Sequence, residues 1–169
     1  AAMIVLETEE SCNQRKKTPI AELIGFTSSC DAESLTSPNL GGVSHVIQEA
    51  LKDAKISPID VDCINLHGTG TKLNDQTEGA AIKKIFGDQI PPCNASKSQL
   101  GHSMGAASAI EAVISVLSIR HQIVPPSLNC HPTDPACHLQ NLSPVSRKHK
   151  IQNVLSNSFA FGGSNACLV

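Results

Sequence analysis

Apolar residues crowd every face of the stretch from Gly101 to Arg120: Met104, Ala106, Ala107, Ala109, Ile110, Ala112, Val113, Ile114, Val116, Leu117 and Ile119. An amphipathic surface helix shows one apolar stripe, so this pattern predicts a helix running to about Arg120 and buried on most sides. Gly101, Gly105 and Ala109 recur every fourth residue and share one face, where another backbone can come close. Ser98 reads as the N-cap, which places His102 in the first turn. There the positive end of the helix dipole disfavours an imidazolium. Lys97 supplies a fixed positive charge, and Glu111, alone in the apolar run, is its natural counter-charge. The same residues read equally well as a core helix with one satisfied histidine and a structural ion pair.

A cleaner amphipathic pattern lies upstream. Val43, Val46, Ile47, Ala50, Leu51 and Ala54 follow helical spacing, with Gln48, Glu49, Lys52 and Asp53 opposite them. A second helix is predicted from Asn74, capped by that residue, with Ile82, Ile85 and Phe86 facing inward. Glu78 shares their face, and a carboxylate on a core face needs a partner. Strands are predicted at Ala2–Glu7, Ile20–Thr27, Ile59–Leu66 and Cys93–Ser96, and then at Val154–Phe161 and Ser164–Val169, joined at Gly162-Gly163. Ser11–Pro19 and Ser28–Leu40 read as loops, and the proline-broken stretch Val124–Lys150 as a surface wander. Strands alternating with helices predict a layered α/β fold. An apolar strand at the first residues reads as the end of a preceding half, over about residues 1–15, so the chain reads as a piece of a larger protein.

Composition narrows the function. At 169 residues the chain is one domain, long enough to bury roughly two-thirds of its unfolded surface. Net charge is −2 and the basic residues are scattered, which does not suit nucleic acid. With no Trp, no Tyr and four Phe, stacking on bases or sugars is disfavoured. Seven cysteines without framework spacing read as reduced thiols of a cytoplasmic protein. No apolar run approaches the roughly 20 residues of a membrane span.

Candidate chemistry gathers at two places. His67 ends a predicted strand and opens His67-Gly68-Thr69-Gly70-Thr71. Ligands bind at that edge of α/β sheets, although the pattern alone reads equally as a tight turn. His102, at the start of the apolar helix, is the second. Cys130-His131 and Cys137-His138 lack the close cysteine pair of structural zinc sites. Phe159-Ala160-Phe161-Gly162-Gly163 joins two bulky rings to a glycine hinge.

Four ordered stretches resemble the C-terminal half of an elongating β-ketoacyl-acyl-carrier-protein synthase, of the fatty-acid type and the thiolase-like superfamily. They are N-L-H-G-T-G-T-K-L-N-D-Q-T-E (Asn65 to Glu78), S-K-S-Q-L-G-H-S-M-G-A-A-S-A-I-E (Ser96 to Glu111), P-P-S-L-N (Pro125 to Asn129) and S-N-S-F-A-F-G-G-S-N-A (Ser156 to Ala166). The resemblance implies a five-stranded mixed sheet with a buried helix, as one of two similar halves. It implies decarboxylative Claisen condensation of malonyl-acyl-carrier protein with an acyl thioester on a cysteine, in fatty acid biosynthesis. It assigns His67, His102 and Lys97 to the catalytic set, the two imidazoles binding the malonyl thioester oxygen as it becomes an enolate. Lys97 and Glu111 match the pair that supports the second histidine, with Asp75 and Glu78 as further structural support. Thr69 and Thr71 match threonines that bind the phosphopantetheine arm, and the N–H of Phe161 matches an oxyanion-hole donor. Phe159, Phe161, Gly162 and Gly163 match the gate to the acyl pocket. Asn65, Glu111, Ser156 and Asn157 match positions that in some members hold structural Na+ or K+. No other cofactor is implied; phosphopantetheine arrives on the carrier protein. The implied partners are acyl carrier protein, the N-terminal half of the synthase and a second copy in a homodimer, without nucleic acid or membrane.

Two departures stand out. The gate reads F-A-F where the family usually has F-G-F, and Ala160 visits positive φ less freely than Gly, which predicts a stiffer gate. None of the seven cysteines stands in the T-A-C-type turn of the family nucleophile, so the chain carries the second half of an active site and is inactive alone. The alternatives are a polyketide or polyene ketosynthase half, and a non-catalytic partner or scaffold subunit.

Overall fold

A computed structural model describes residues 1–169. In chain order the regular elements begin with α1 (Glu9–Gln14), β1 (Phe26–Cys30), α2 (Leu40–Asp53), β2 (Cys63–Asn65), α3 (Lys72–Phe86) and β3 (Cys93–Asn94). There follow α4 (Lys97–Leu100), α5 (Ala107–His121), β4 (Ile123–Val124), β5 (Arg147–Lys148), β6 (Val154–Ala160) and β7 (Ser164–Leu168). The main sheet has five strands in the order β1-β7-β6-β2-β3. The β1–β7 and β7–β6 pairs are antiparallel, and β6–β2 and β2–β3 are parallel. The sheet is therefore mixed, and β4 and β5 form a separate two-stranded ribbon.

Alternation along the strands sorts the two faces. Ile64, Leu66, Leu155 and Phe159 point into a core with Val43, Val46, Ile47, Ala50 and Leu51 of α2 and Ala81, Ile82 and Phe86 of α3. Cys63 and Val154, one residue out of phase, point the other way and meet Val124, Ile151 and Ile119 beside α5. The Asn39 side chain caps α2 by accepting from Gly42 N at 3.1 Å. The loop expected over Ser28–Leu40 is shorter, residues 31–39, because β1 continues to Cys30 against β7 and α2 already includes Leu40.

Four further expectations are corrected. Residues 2–7 form no strand: Met3, Val5 and Leu6 are 90%, 84% and 74% exposed, and no strand of the sheet pairs with them. An extended segment without a ladder keeps its backbone in water. The polar loop expected next instead holds α1, capped by Thr8 Oγ1 accepting from Ser11 N. The second strand starts at Phe26, because pairing with β7, Phe26 opposite Leu168 through Cys30 opposite Ser164, sets its limits. Asn74 is not a cap: α3 begins at Lys72, and the Asn74 amide lies buried against Asp75 Oδ1 at 3.1 Å.

The long central helix is also broken. Gly101, at φ 74°, ends the single turn of α4, and Met104–Ala106 forms a 3-10 turn before α5 starts at Ala107. Gly101 and Gly105 therefore share no helical face with Ala109, and Ser98 caps nothing; its hydroxyl donates to Ala95 O at 2.7 Å. The buried face of α5 is its most polar one, Ala107, Glu111, Ser115 and Ser118, laid on β6. Ile110, Val113 and Ile114 are only half-buried and Leu117 is 41% exposed. Within this chain the apolar stripe has no cover.

Gly79, on the inner side of α3, permits a close approach: a Cβ there would lie 1.7 Å from Cys137 O. Alanine is normally better in a helix by about 1 kcal/mol, but here it must push the Pro135–Cys137 turn away. Gly79→Ala is expected to lower the melting temperature, against helix propensity; a thermal melt checks the sign.

Candidate active site

His67 stands two residues beyond β2, where the parallel strands end and the chain turns through Gly68, at φ 47°. A Cβ on Gly68 would lie 2.9 Å from Ala95 Cβ, so the turn requires glycine in both conformation and space. Glu78 of α3 holds this turn. Its carboxylate accepts from His67 N at 2.9 Å, from Gly68 N at 3.0 Å and from Asn157 Nδ2 at 3.1 Å. The partner that an inward carboxylate needs is thus a pair of peptide N–H groups and an amide rather than a cation. Burial pushes Glu78 up to about 7; the three donors pull it down, and Asp75 adds a smaller upward push.

Lys97 enters from α4. Its ammonium donates to Glu111 Oε1 at 2.7 Å and to His67 O at 2.5 Å, and lies 3.4 Å from His67 Nδ1. Lysine and glutamate side chains are 5% and 2% exposed. Burial raises the Glu111 carboxyl and the Lys97 charge opposes that. The expected pair exists, but it buttresses His67, not His102: Lys97 sits on its own short turn facing the β2 loop.

His102 lies in the link between α4 and α5, outside any helix, so the dipole argument for its neutrality lapses. Its Nδ1 accepts from Met104 N at 3.1 Å. Partial desolvation and the Lys97 charge still lower its pKa. His67 is lowered further, to about 3, by burial, Lys97 and His102. The rings meet edge-on, with centroids 5.7 Å apart and planes at 86°. Each Nδ1 faces a donor, so each neutral ring carries its proton on Nε2. Phe159 packs its ring 5.4 Å from that of His67.

Thr69 and Thr71 share a 2.8 Å hydroxyl contact in the same loop. Phe161 is 71% exposed in the β6–β7 turn, with Gly162 and Gly163 at φ 80° and 78°. Ala160 is extended, at φ −138° and ψ 162°, a conformation any residue adopts. Sequence reasoning missed what holds this turn. Gly162 N donates to Leu35 O and Asp31 N to Gly163 O, both at 2.8 Å. Asp31 then accepts from Asn165 Nδ2 at 2.8 Å and from Asn39 N at 3.2 Å. Apart from the Asn39 contact, these join residues more than a hundred positions apart, and no local pattern announces them.

The four cation positions do not converge. Asn65 donates to Ser96 Oγ at 2.9 Å and accepts from Ser156 Oγ at 3.3 Å on the α5 side. Asn157, next along β6, points to the opposite face, to Glu78 and the Cys167 thiol. Glu111 Oε2 is buried without a partner. That orphaned oxygen, with neutral oxygens on the same side of the sheet, fits a hard monovalent ion; the Asn157 side chain does not. Of the thiols, burial pushes Cys63 up to about 12 and raises Cys93, Cys137 and Cys167.

The family described as beta-ketoacyl synthase, C-terminal domain, matches residues 20–131. The chain is 44% identical over 173 residues to 3-oxoacyl-(acyl-carrier-protein) synthase 2 of Coxiella burnetii, covering 100% of this chain and 42% of that protein. It is 42% identical over 170 residues to nodulation protein E of Rhizobium meliloti, covering 99% of this chain and 42% of that protein. The structure of the ishigamide ketosynthase/chain length factor superposes with a TM-score of 0.93 at 44% identity, over 96% of this chain and 40% of that one. The chain thus spans 42% of the length of these curated relatives.

Lys97→Ala strands a buried carboxylate and frees the His67 carbonyl. Urea denaturation is expected to show a loss of about 3–5 kcal/mol, partly recovered when Glu111→Gln is added.

The pH profile tests the Glu78 clamp. Between pH 4.5 and about 7 the folded chain keeps a proton on Glu78 that the unfolded chain has lost, so this group withdraws stability as pH rises through that window. His67 acts oppositely: below pH 6.5 the unfolded chain binds a proton that the folded chain refuses down to about 3. The two offset each other where they overlap. Glu78→Gln removes one side of that offset, so between pH 6.5 and 4.5 its stability should fall more steeply with falling pH than that of the parent. Parallel profiles for the two proteins would count against the assignment.

Proposed function

The chain belongs to the β-ketoacyl synthase family, carrying its C-terminal domain, and we propose that it supplies the decarboxylating half of a condensing site that elongates acyl chains from malonyl-carrier protein in fatty acid biosynthesis. The observation that carries this reading is the pair of neutral imidazoles, each with Nδ1 engaged and Nε2–H left to donate. Loss of CO₂ from a malonyl thioester leaves the C–C electron pair as an enolate, with charge on the thioester oxygen. Two N–H donors held in place before reaction stabilise that charge without reorganising. The enolate carbon then attacks an acyl thioester, and the cysteine thiolate leaves.

That cysteine is assigned to sequence outside this chain. The thiols that burial pushes up serve poorly as nucleophiles, since the thiolate is the reactive form. Thr69 and Thr71 are assigned to the amide-bearing phosphopantetheine arm, exchanging their mutual contact for bonds to it. Phe161 is assigned to the gate and, through its N–H, to the acyl oxyanion, and Asp75 to a support beside Glu78. A monovalent cation beside Glu111 Oε2, with Asn65 and Ser156, would add fixed positive charge that steadies the Lys97–Glu111 pair. The carrier-protein partner is supported by the name of the Coxiella relative. The remainder of the synthase, with a homodimer of the whole, is assigned to cover the apolar stripe of α5. A polyketide ketosynthase half is the second reading, favoured by the equally similar ishigamide protein.

In the complete synthase, His67→Ala or His102→Ala should slow malonyl-carrier-protein decarboxylation by on the order of a hundredfold or more, while acyl transfer to the cysteine partly survives. Release of CO₂ at an unchanged rate would sink the role given to the imidazoles. The chain alone should transfer no acyl group; rapid acylation of any of its own cysteines would show the nucleophile misplaced.

A further inference from the structure

The end of the sheet opposite His67 carries a cluster the condensation does not use. His67 follows the C-terminal end of β2, whereas β6, parallel to β2, is entered from Lys150 at the other end. There the last turn of α5 and the β4–β5 ribbon bring His121, Gln122, Lys148, His149 and Lys150 around one open groove, with Arg120 exposed beside it. The groove has no acidic and no apolar lining residue. None of the chain's four ion pairs involves Arg120, Lys148 or Lys150. Asp62 Oδ2 accepts from Gln152 N and Asn153 N, at 2.7 and 3.0 Å, and Asp62 makes no ion pair with these cations.

The backbone beneath the charges is held firmly. Gln122, at φ 57°, donates through Nε2 to Ile119 O at 2.6 Å and Ile151 O at 2.7 Å, and accepts from Ile151 N at 3.0 Å. Its own carbonyl accepts from His149 N at 3.1 Å, and Lys148 pairs with Ile123 across the ribbon. One glutamine side chain thus locks the end of α5 to the segment bearing the lysines. Arg120 and His121 complement the C-terminal dipole of α5, but that accounts for neither Lys148 nor Lys150. On a chain of net charge −2, cations gathered on a rigid frame form a local field of opposite sign.

We propose that this groove is a docking surface for an acidic protein segment, remote from the condensing site. Geometric recognition of a single phosphate favours a guanidinium fork or a nest of backbone N–H groups around its lysines, and a membrane-binding face would present apolar side chains among the bases. The groove offers neither; lysines and imidazoles spread over two segments match a row of carboxylates. The mode of attraction is long-range and screened by salt.

The test measures binding of the full chain to fluorescent poly-glutamate by anisotropy at low ionic strength, beside tripolyphosphate and phosphatidylserine–phosphatidylcholine vesicles. Poly-glutamate should bind, and the double reversal Lys148→Glu with Lys150→Glu should weaken it by about tenfold or more. The control reversal of the exposed pair, Lys16→Glu with Lys17→Glu, should leave it unchanged. Absence of binding, an equal loss in the control, or tighter binding of tripolyphosphate or vesicles would each overturn the proposal.

Discussion

The site depends on one buried ammonium. Lys97 Nζ is shared among Glu111 of α5, the carbonyl of His67 and the His67 ring, and so ties three segments to one point. A buried charge with a single partner would be costly; here hydrogen bonds beyond the ion pair take up its protons. The same contact settles the chemistry of His67. A cation against Nδ1 excludes a second proton there and leaves the ring neutral, with Nε2–H as its donor. Packing, tautomer and electrostatics at this histidine follow from one interaction.

Around that point the sheet has two unlike faces. Toward α2 and α3 it is apolar and closed, interrupted by Asn157 and by Glu78 of α3, whose oxygens accept from the backbone of the β2 loop and from the Asn157 amide. Toward α5 it carries Asn65 and Ser156, and the helix covering them turns its polar side, Glu111 with its partner Lys97, inward. This inversion explains why α5 looks apolar all round in sequence and yet leaves its aliphatic stripe uncovered. Two carboxylates outside the ion pair do similar work: Glu78 braces the loop bearing His67, and Asp31 braces the turn bearing Phe161. Loops that must approach a substrate are held from behind.

Much of this was legible along the chain. The spacing of Val43 to Ala54 predicted α2, because that pattern reflects burial of one helix face, and the two runs joined at Gly162-Gly163 predicted the β6–β7 hairpin. The motifs at His67 and Lys97 were visible as residue types that rarely stand beside glycines or inside apolar runs without a partner. The family, and through it the mixed sheet, followed from those stretches.

What the chain could not disclose were matters of long-range contact. Residues 2–7 have strand composition, but a strand exists only where another offers its ladder. Whether the run from Gly101 is one helix or two depended on Gly101 taking positive φ between Lys97, pinned to Glu111, and His102, held by Met104 N. That Lys97 serves His67, that Asn157 faces away from Ser156, and that Asp31 reaches Asn165 all involve partners thirty to a hundred or more positions apart, or opposite sides of one strand. Side-chain periodicity tells which face a residue occupies, and only the packed structure decides what stands there to meet it.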